Sequence, residues 1–266
     1  MKGRSTIVYN VYTPTNIIAM LRPRRQDGQS VIQEGFEITP PVPFSEYTDI
    51  YNNPCQRAIL PVGQVTITTQ VQAQVNVTKP IPMPVPEYVL IDDLPDDVMH
   101  YLLPSRYCQS DVPEIGKLAM EIAGNFKPGY DQVEEIRKWI HQHVKYQYGV
   151  SNSFTTALDT AQSRIGVCRD FTHLAIALCR NLSIPARMTV GYLDKLQEMD
   201  LHAWFEVYIG GGWYTFDAVQ PQTEGYRIEI AHGRDAADVA MITQFGNATL
   251  QSLHVEVELL DAPDSN

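Results

Sequence analysis

Cys168 lies in Gly166-Val167-Cys168-Arg169-Asp170-Phe171, directly ahead of an apolar stripe of Phe171, Leu174, Ala175, Leu178 and Leu182 at helical spacing. The glycine opens the chain and the stripe follows at once, so the cysteine falls in the first turn of a helix. Unpaired backbone N–H groups and the positive end of the helix dipole favour an anion there. A thiolate is such an anion, and the same N–H groups suit the oxyanion of a tetrahedral intermediate. A thiol nucleophile needs a base, and the base needs an orienting group. His202 sits in an alternating strand, Leu201 to Ile209, whose polar-capable face carries His202, Trp204, Glu206 and Tyr208, while the other face is wholly apolar. Gly210-Gly211-Gly212 turns the chain and Trp213 to Asp217 returns as the partner strand. An even loop places Asp217 opposite Trp204, diagonal to His202 and on the same face, about 7–8 Å away between backbones. An odd loop without a bulge would bury a lone carboxylate on the apolar face, which is costly. The sequence therefore predicts the even register or a compensating bulge.

Taken singly, each residue has a plainer reading: a small buried cysteine, a half-buried strand histidine, a turn aspartate. An ordered Cys, His, Asp set is the specific signal. Of the other thiols, Cys179 falls in the helix body beside Leu178, and no pair among Cys55, Cys108, Cys168 and Cys179 forms a Cys-x-x-Cys or a zinc spacing. His141 and His143 lie two apart on a predicted helix and point to different sides, which argues against metal binding. His173, five residues past Cys168, lies further round the helix and reads as a structural hydrogen-bonding group. Trp204 suits the wall of a cleft, and Arg234 with Asp235 a surface salt link. Asp92-Asp93-Leu94-Pro95-Asp96-Asp97 lacks the spacing of a calcium loop and reads as a solvated face. No phosphate-binding or dinucleotide motif is present, so no cofactor is expected.

The elements that must position these groups form two blocks. The first eighty residues read as strands, most clearly Val65 to Val77, apolar at odd positions and Gln, Thr or Asn at even ones. Lys79-Pro80-Ile81-Pro82-Met83-Pro84-Val85-Pro86 then reads as an extended connector. Helices are predicted from Pro113, from Asp131 and near Cys168, followed by strands over Arg187–Leu193, Leu201–Ile209, Trp213–Val219 and Leu253–Leu260. Helices first and antiparallel strands after give an α+β class. The expected organisation is a β-rich unit over 1–85, a linker over 86–112 and a catalytic unit over 113–266.

Across the chain's 266 residues, 20 Lys and Arg against 31 Asp and Glu give a net charge of −11. That surface repels phosphate backbones, so no nucleic-acid partner is expected. It also excludes a polybasic membrane-surface protein. No apolar run reaches the length of a membrane span, and no signal-like stretch opens the sequence, so a soluble cytoplasmic protein with reduced cysteines is expected.

The three motifs around Cys168, around His202-Ala203-Trp204-Phe205-Glu206-Val207-Tyr208 and around Trp213-Tyr214-Thr215-Phe216-Asp217 resemble the core of the transglutaminase-like superfamily, in particular its bacterial branch described as cysteine proteases. Leu103-Pro104-Ser105-Arg106-Tyr107 and Gly233-Arg234-Asp235-Ala236-Ala237-Asp238-Val239 are similar to segments of that branch, and the N-terminal region with Leu21-Arg22-Pro23 is similar to its companion domain. The resemblance implies a papain/transglutaminase-like core behind a β-sandwich-like domain, with Cys168 as nucleophile, His202 as acid/base and Asp217 as its orienting carboxylate. It implies thiol acyl transfer on an amide of a peptide or protein substrate through a thioester, ending in hydrolysis or in transfer to an amine. Ala218-Val219-Gln220-Pro221 departs from the family's usual Pro-Thr-Asn after the aspartate. A transglutaminase-fold binding module with an idle triad, and an acyl-CoA-dependent N-acetyltransferase, are the competing readings. The latter places its cysteine much nearer the N-terminus.

Overall fold

A computed structural model describes residues 1–26, 28–78, 82–196, 199–221 and 225–260. The N-terminal block supplies β1 (Lys2–Val11), β2 (Thr15–Ala19), β3 (Gln29–Thr39), β4 (Phe44–Thr48), β5 (Pro54–Leu60) and β6 (Gly63–Val75). The period-two pattern works as written: Val65, Ile67, Thr69, Val71 and Ala73 of β6 are buried. Part of the proline-rich connector, residues 79–81, lies outside the described residues.

The second block contains α1 (Pro113–Ala123), α2 (Tyr130–His143), β7 (Lys145–Tyr146), α3 (Ala157–Ser163), β8 (Ile165–Gly166), α4 (Cys168–Asn181), β9 (Ala186–Leu193), β10 (His202–Ile209), β11 (Gly212–Phe216) and β12 (Arg227–Gly233). The chain ends in β13 (Ile242–Phe245) and β14 (Ala248–Glu258). Helices and antiparallel sheets make an α+β fold. α4 is its centre: every residue from Asp170 to Arg180 is buried, beneath α1, α2 and α3 on one side and the antiparallel sheet β11-β10-β9-β12 on the other. The apolar stripe read from the sequence is therefore only part of an all-round buried helix, the pattern of a core element.

Strand pairing links the two ends of the chain. The two N-terminal sheets have the orders β14-β1-β6-β3 and β13-β2-β5-β4. β13 and β14 thus close the N-terminal sheets, with Leu253 opposite Ile7 and Ile242 opposite Ala19. The pairing partners of both strands lie over two hundred residues upstream, where local pattern carries no information. The 86–112 segment is partly packed into the fold. Leu94, Val98, Tyr101 and Cys108 are buried in it, while Asp92, Asp93, Asp96 and Asp97 face solvent as expected.

The two blocks are joined by polar contacts at a strand edge. β12 is the last strand of its sheet, so its outward backbone groups need partners. Two side-chain amides supply them. Gln29 Nε2 donates to the Glu229 carbonyl at 2.9 Å and its Oε1 accepts from Glu229 N at 2.7 Å. Asn53 does the same at His232, at 2.9 and 3.0 Å. A third contact is tighter: the Tyr192 ring lies against Gly3, where an added Cβ would come within 2.8 Å of ring carbon.

Candidate active site

Cys168 is the first residue of α4. Its position is set by Asp170, which is fully buried and accepts a hydrogen bond from Val167 N at 2.9 Å and from Ser151 Oγ at 2.8 Å. Gly166 makes room: a Cβ there would sit 2.7 Å from the Asp170 Cβ. Gly166 also pairs with Tyr146 in the short parallel β7–β8 ladder. That ladder brings the Tyr146 phenol beside the Cys168 backbone N–H. Burial, then the neighbouring Cys168 and Tyr148, raise the Tyr146 phenol well above its ordinary range.

His202 opens β10 and Asp217 follows the end of β11. Phe205 pairs with Phe216 and Ile209 with Gly212, so the loop is the two residues Gly210 and Gly211. Their φ values of +58° and +82° are those of a mirror-image hairpin turn, which matches the twist of the strands. This is the even register, and it puts Asp217 on the His202 face. His202 Nε2 lies 2.8 Å from Asp217 Oδ2, leaving Nδ1 as the ring nitrogen open to the neighbouring Cys168 thiol. Burial alone would push the imidazole down, but the Asp217 charge and hydrogen bond, aided by Cys168, reverse this and hold it at about 10. Burial likewise works against the Asp217 carboxylate. His202, Arg227 and the Val219 N–H outweigh it and bring the group to about 2.

Asp217 is fully engaged. Oδ1 accepts from Val219 N at 3.0 Å and Gln220 N at 3.2 Å, and Oδ2 also receives Arg227 Nη2 at 3.4 Å. The residues that depart from the family pattern thus cap the carboxylate through backbone groups. Arg137 of α2 grips the same corner through the carbonyls of Gln220 and Pro221. Trp204 is wholly buried beside His202, ring centroids 6.3 Å apart, with the Arg227 guanidinium over its other side.

Other residues fall elsewhere. His173 accepts a hydrogen bond from Ala236 N at 3.1 Å and stacks on Tyr107, a structural role. Asp235 is buried rather than part of a surface salt link; it caps Tyr107 N and Ala237 N, and Arg234 pairs with Asp238 instead. Arg180 explains why the two flanking segments matter: its guanidinium donates to the carbonyls of Leu103 and Arg234 and to Ser105 Oγ. Gln147, upstream of the cysteine, uses its N–H on the Gly166 carbonyl. Tyr146 and Arg227 were not singled out from sequence. Each reaches the site from a segment with no local chemical signature. All four cysteines are free, and among the described residues no group of His, Cys, Asp and Glu could hold a metal ion. No helix there is long and apolar enough to cross a membrane.

The sequence model of the transglutaminase-like superfamily matches residues 116–218, from α1 to the residue after Asp217. A solved structure from Cytophaga hutchinsonii, described as a "putative cysteine protease", superposes with a TM-score of 0.91 at 39% identity, covering 99% of this chain and 91% of that one. The chain belongs to the transglutaminase-like superfamily. Similar proteins include an uncharacterised protein of Mycobacterium leprae, 29% identical over 240 residues, which are 84% of this chain and 83% of that one. An uncharacterised protein of Mycobacterium tuberculosis is 32% identical over 146 residues, 48% of this chain and 46% of its own. The transglutaminase-like core and the β-rich region ahead of it are thus shared along nearly the whole length of the Cytophaga protein.

Proposed function

We propose that this protein is a thiol-dependent acyl-transfer enzyme acting on amides of peptide or protein substrates, chiefly as a hydrolase of the cysteine-protease kind. The observation that carries the reading is one arrangement: Cys168 at a helix N-terminus beside His202, whose Nε2 is 2.8 Å from Asp217. Held at about 10, the imidazole is protonated at neutral pH, which is the partner a thiolate requires. The thiolate attacks the amide carbon, and the carbonyl electron pair moves to oxygen, where the Cys168 N–H stabilises it. On collapse the C–N bond breaks and His202 passes its Nδ1 proton to the leaving amine. A thioester remains. Water, deprotonated by the now neutral His202, attacks it, and the tetrahedral adduct expels the Cys168 thiolate and releases the acid. An amine in place of water would give transamidation by the same steps.

The test is iodoacetamide labelling against pH with site mapping, on the wild type, His202→Ala and Cys168→Ala, alongside turnover of peptide and glutamine substrates. Fast labelling of Cys168 at neutral pH, lost in His202→Ala, and turnover lost in Cys168→Ala are the expected results. A Cys168 that labels like an ordinary thiol in folded protein, without turnover, overturns the reading in favour of a binding module.

A further inference from the structure

The Cys168 sulfur and His202 open into a groove of about 380 Å³. That is near the lower end of the range of about 300–1,000 Å³ for small-ligand pockets, enough for one or two side chains and not for a folded surface. Its floor is Met188 and Val190 of β9 with Leu201 beside β10, and its facing wall is Ile7 of β1 with Leu250 and Leu253 of β14. The wall therefore comes from the N-terminal sheet, built there by the return of β14 to β1. Among the described residues, no carboxylate lines the groove. Its one cationic side chain besides His202 is Arg169, and that guanidinium is already engaged by Asp170, Ser151 Oγ and the Asn152 carbonyl. Apolar lining is not general to this molecule: the larger hollow on the outer face of the same sheet is edged by Lys2, Arg4, Glu256 and Glu258.

From these observations we infer that the groove receives a large apolar side chain of a polypeptide, adjoining the amide presented to Cys168, and that β14 and β1 of the N-terminal sheet set this preference. The inference rests on the acyl-transfer reading for its catalytic meaning but not for its test. A Leu or Phe side chain leaves water for a matching wall. An ionised or carboxamide side chain would give up water for a lining in which, besides Arg169 and His202, only Tyr9, Tyr107 and Ser153 carry polar side-chain groups. The N-terminal block is then part of the substrate site, and a glutamine side chain is a poor occupant of the groove.

The experiment is protection of Cys168 from iodoacetamide, read by site-mapped mass spectrometry, with blocked tetrapeptides that differ at one residue: Leu, Phe, Asp, Lys or Gln. The Leu and Phe peptides are expected to protect at concentrations about tenfold or more below the others. Leu250→Asp is expected to erase that advantage, each peptide's protection being read against the variant's own rate without peptide. Leu250 is 50% exposed, so the substitution should be accommodated; should this variant not fold, the peptide series on the wild type decides alone. Equal protection by all five, preferential protection by Gln or charged peptides, or none by any, overturns the inference, as does an unchanged preference in folded Leu250→Asp. Protection by apolar peptides without any turnover would leave the groove's assignment standing and remove the acyl-transfer reading.

Discussion

His202 Nε2 and Asp217 Oδ2 are 2.8 Å apart with both side chains all but sealed from solvent, at 3% and 0% exposure. Two buried groups of opposite charge are stabilising only while both are ionised and fully hydrogen-bonded. Asp217 meets that condition through four donors. Replacing it with Asn keeps the shape but removes the charge that orients and protonates His202. Asp217→Asn is expected to lower kcat by roughly 10³–10⁴-fold, with little change in KM, measured on whichever peptide substrate the wild type turns over.

The same pair predicts how stability varies with pH. His202 is raised from 6.5 to about 10 in the fold. Its contribution is full below about 6.5 and is lost as pH rises through about 10. Asp217 is depressed from 3.8 to about 2, so its contribution is full above about 3.9 and is lost as pH falls through about 2. The contact is therefore strongest between about pH 4 and 6.5. His202→Gln should cost about 3–5 kcal/mol near pH 6, and the gap in Tm from the wild type should narrow steadily towards pH 10. Thermal melts of both proteins across that range would check it; a constant gap would deny the ion pair.

Why the hairpin could be read in advance is a matter of range. Its register follows from alternation along Leu201 to Ile209 and a glycine turn whose two residues both take positive φ. Everything needed lies within sixteen residues. Cys168 was legible for the same reason, since glycine, cysteine and stripe are contiguous. Arg227 and Tyr146 were not, because each arrives through a ladder or sheet partner chosen by tertiary packing. The docking of β14 on β1 is of the same kind. α3 is a different failure: its capping box, Thr156 with Asp159, is written in the sequence, but the helix is only seven residues long and carries too little periodicity to stand out.

Gly166 tests how tightly the cysteine is placed. The missing Cβ would lie 2.7 Å from the Asp170 Cβ and 3.1 Å from its Oδ2, and Asp170 cannot retreat because Val167 N and Ser151 hold both its oxygens. Gly166→Ala should destabilise by about 1–3 kcal/mol and slow Cys168 labelling, because the strain is relieved by shifting the first turn of α4. Denaturant unfolding and labelling rates would both be read. Normal labelling in a destabilised protein would separate packing from positioning.

Asn53 tests the junction between the blocks. Its carboxamide pairs with both backbone groups of His232, and Oδ1 also receives Arg24 Nη1. Asn53→Ala leaves a buried strand-edge donor and acceptor unpaired. The expected cost is about 1–3 kcal/mol for each orphaned group, seen as a lower midpoint in urea. Hydrogen exchange should rise at His232 first. A loss confined to the N-terminal sheets would show that β12 finds its partners elsewhere.

Tyr146 carries the last prediction. At rest its phenol lies beside the Cys168 backbone N–H, the donor assigned above to the oxyanion. The phenol therefore stands where the substrate oxygen must arrive and has to give way by a small rotation. After that rotation its O–H is free to donate to the same oxyanion from the other side, which would supply the second donor. Tyr146→Phe removes the hydroxyl and keeps the ring that packs against Tyr148 and Phe171. If the hydroxyl is a donor, kcat falls by about 10²-fold while iodoacetamide labelling of Cys168, which forms no oxyanion, is unchanged. If it merely fills the vacant position, removing it should leave kcat intact or raise it and lower KM. Steady-state kinetics beside labelling rates distinguish the two, because only a true donor lowers one without the other.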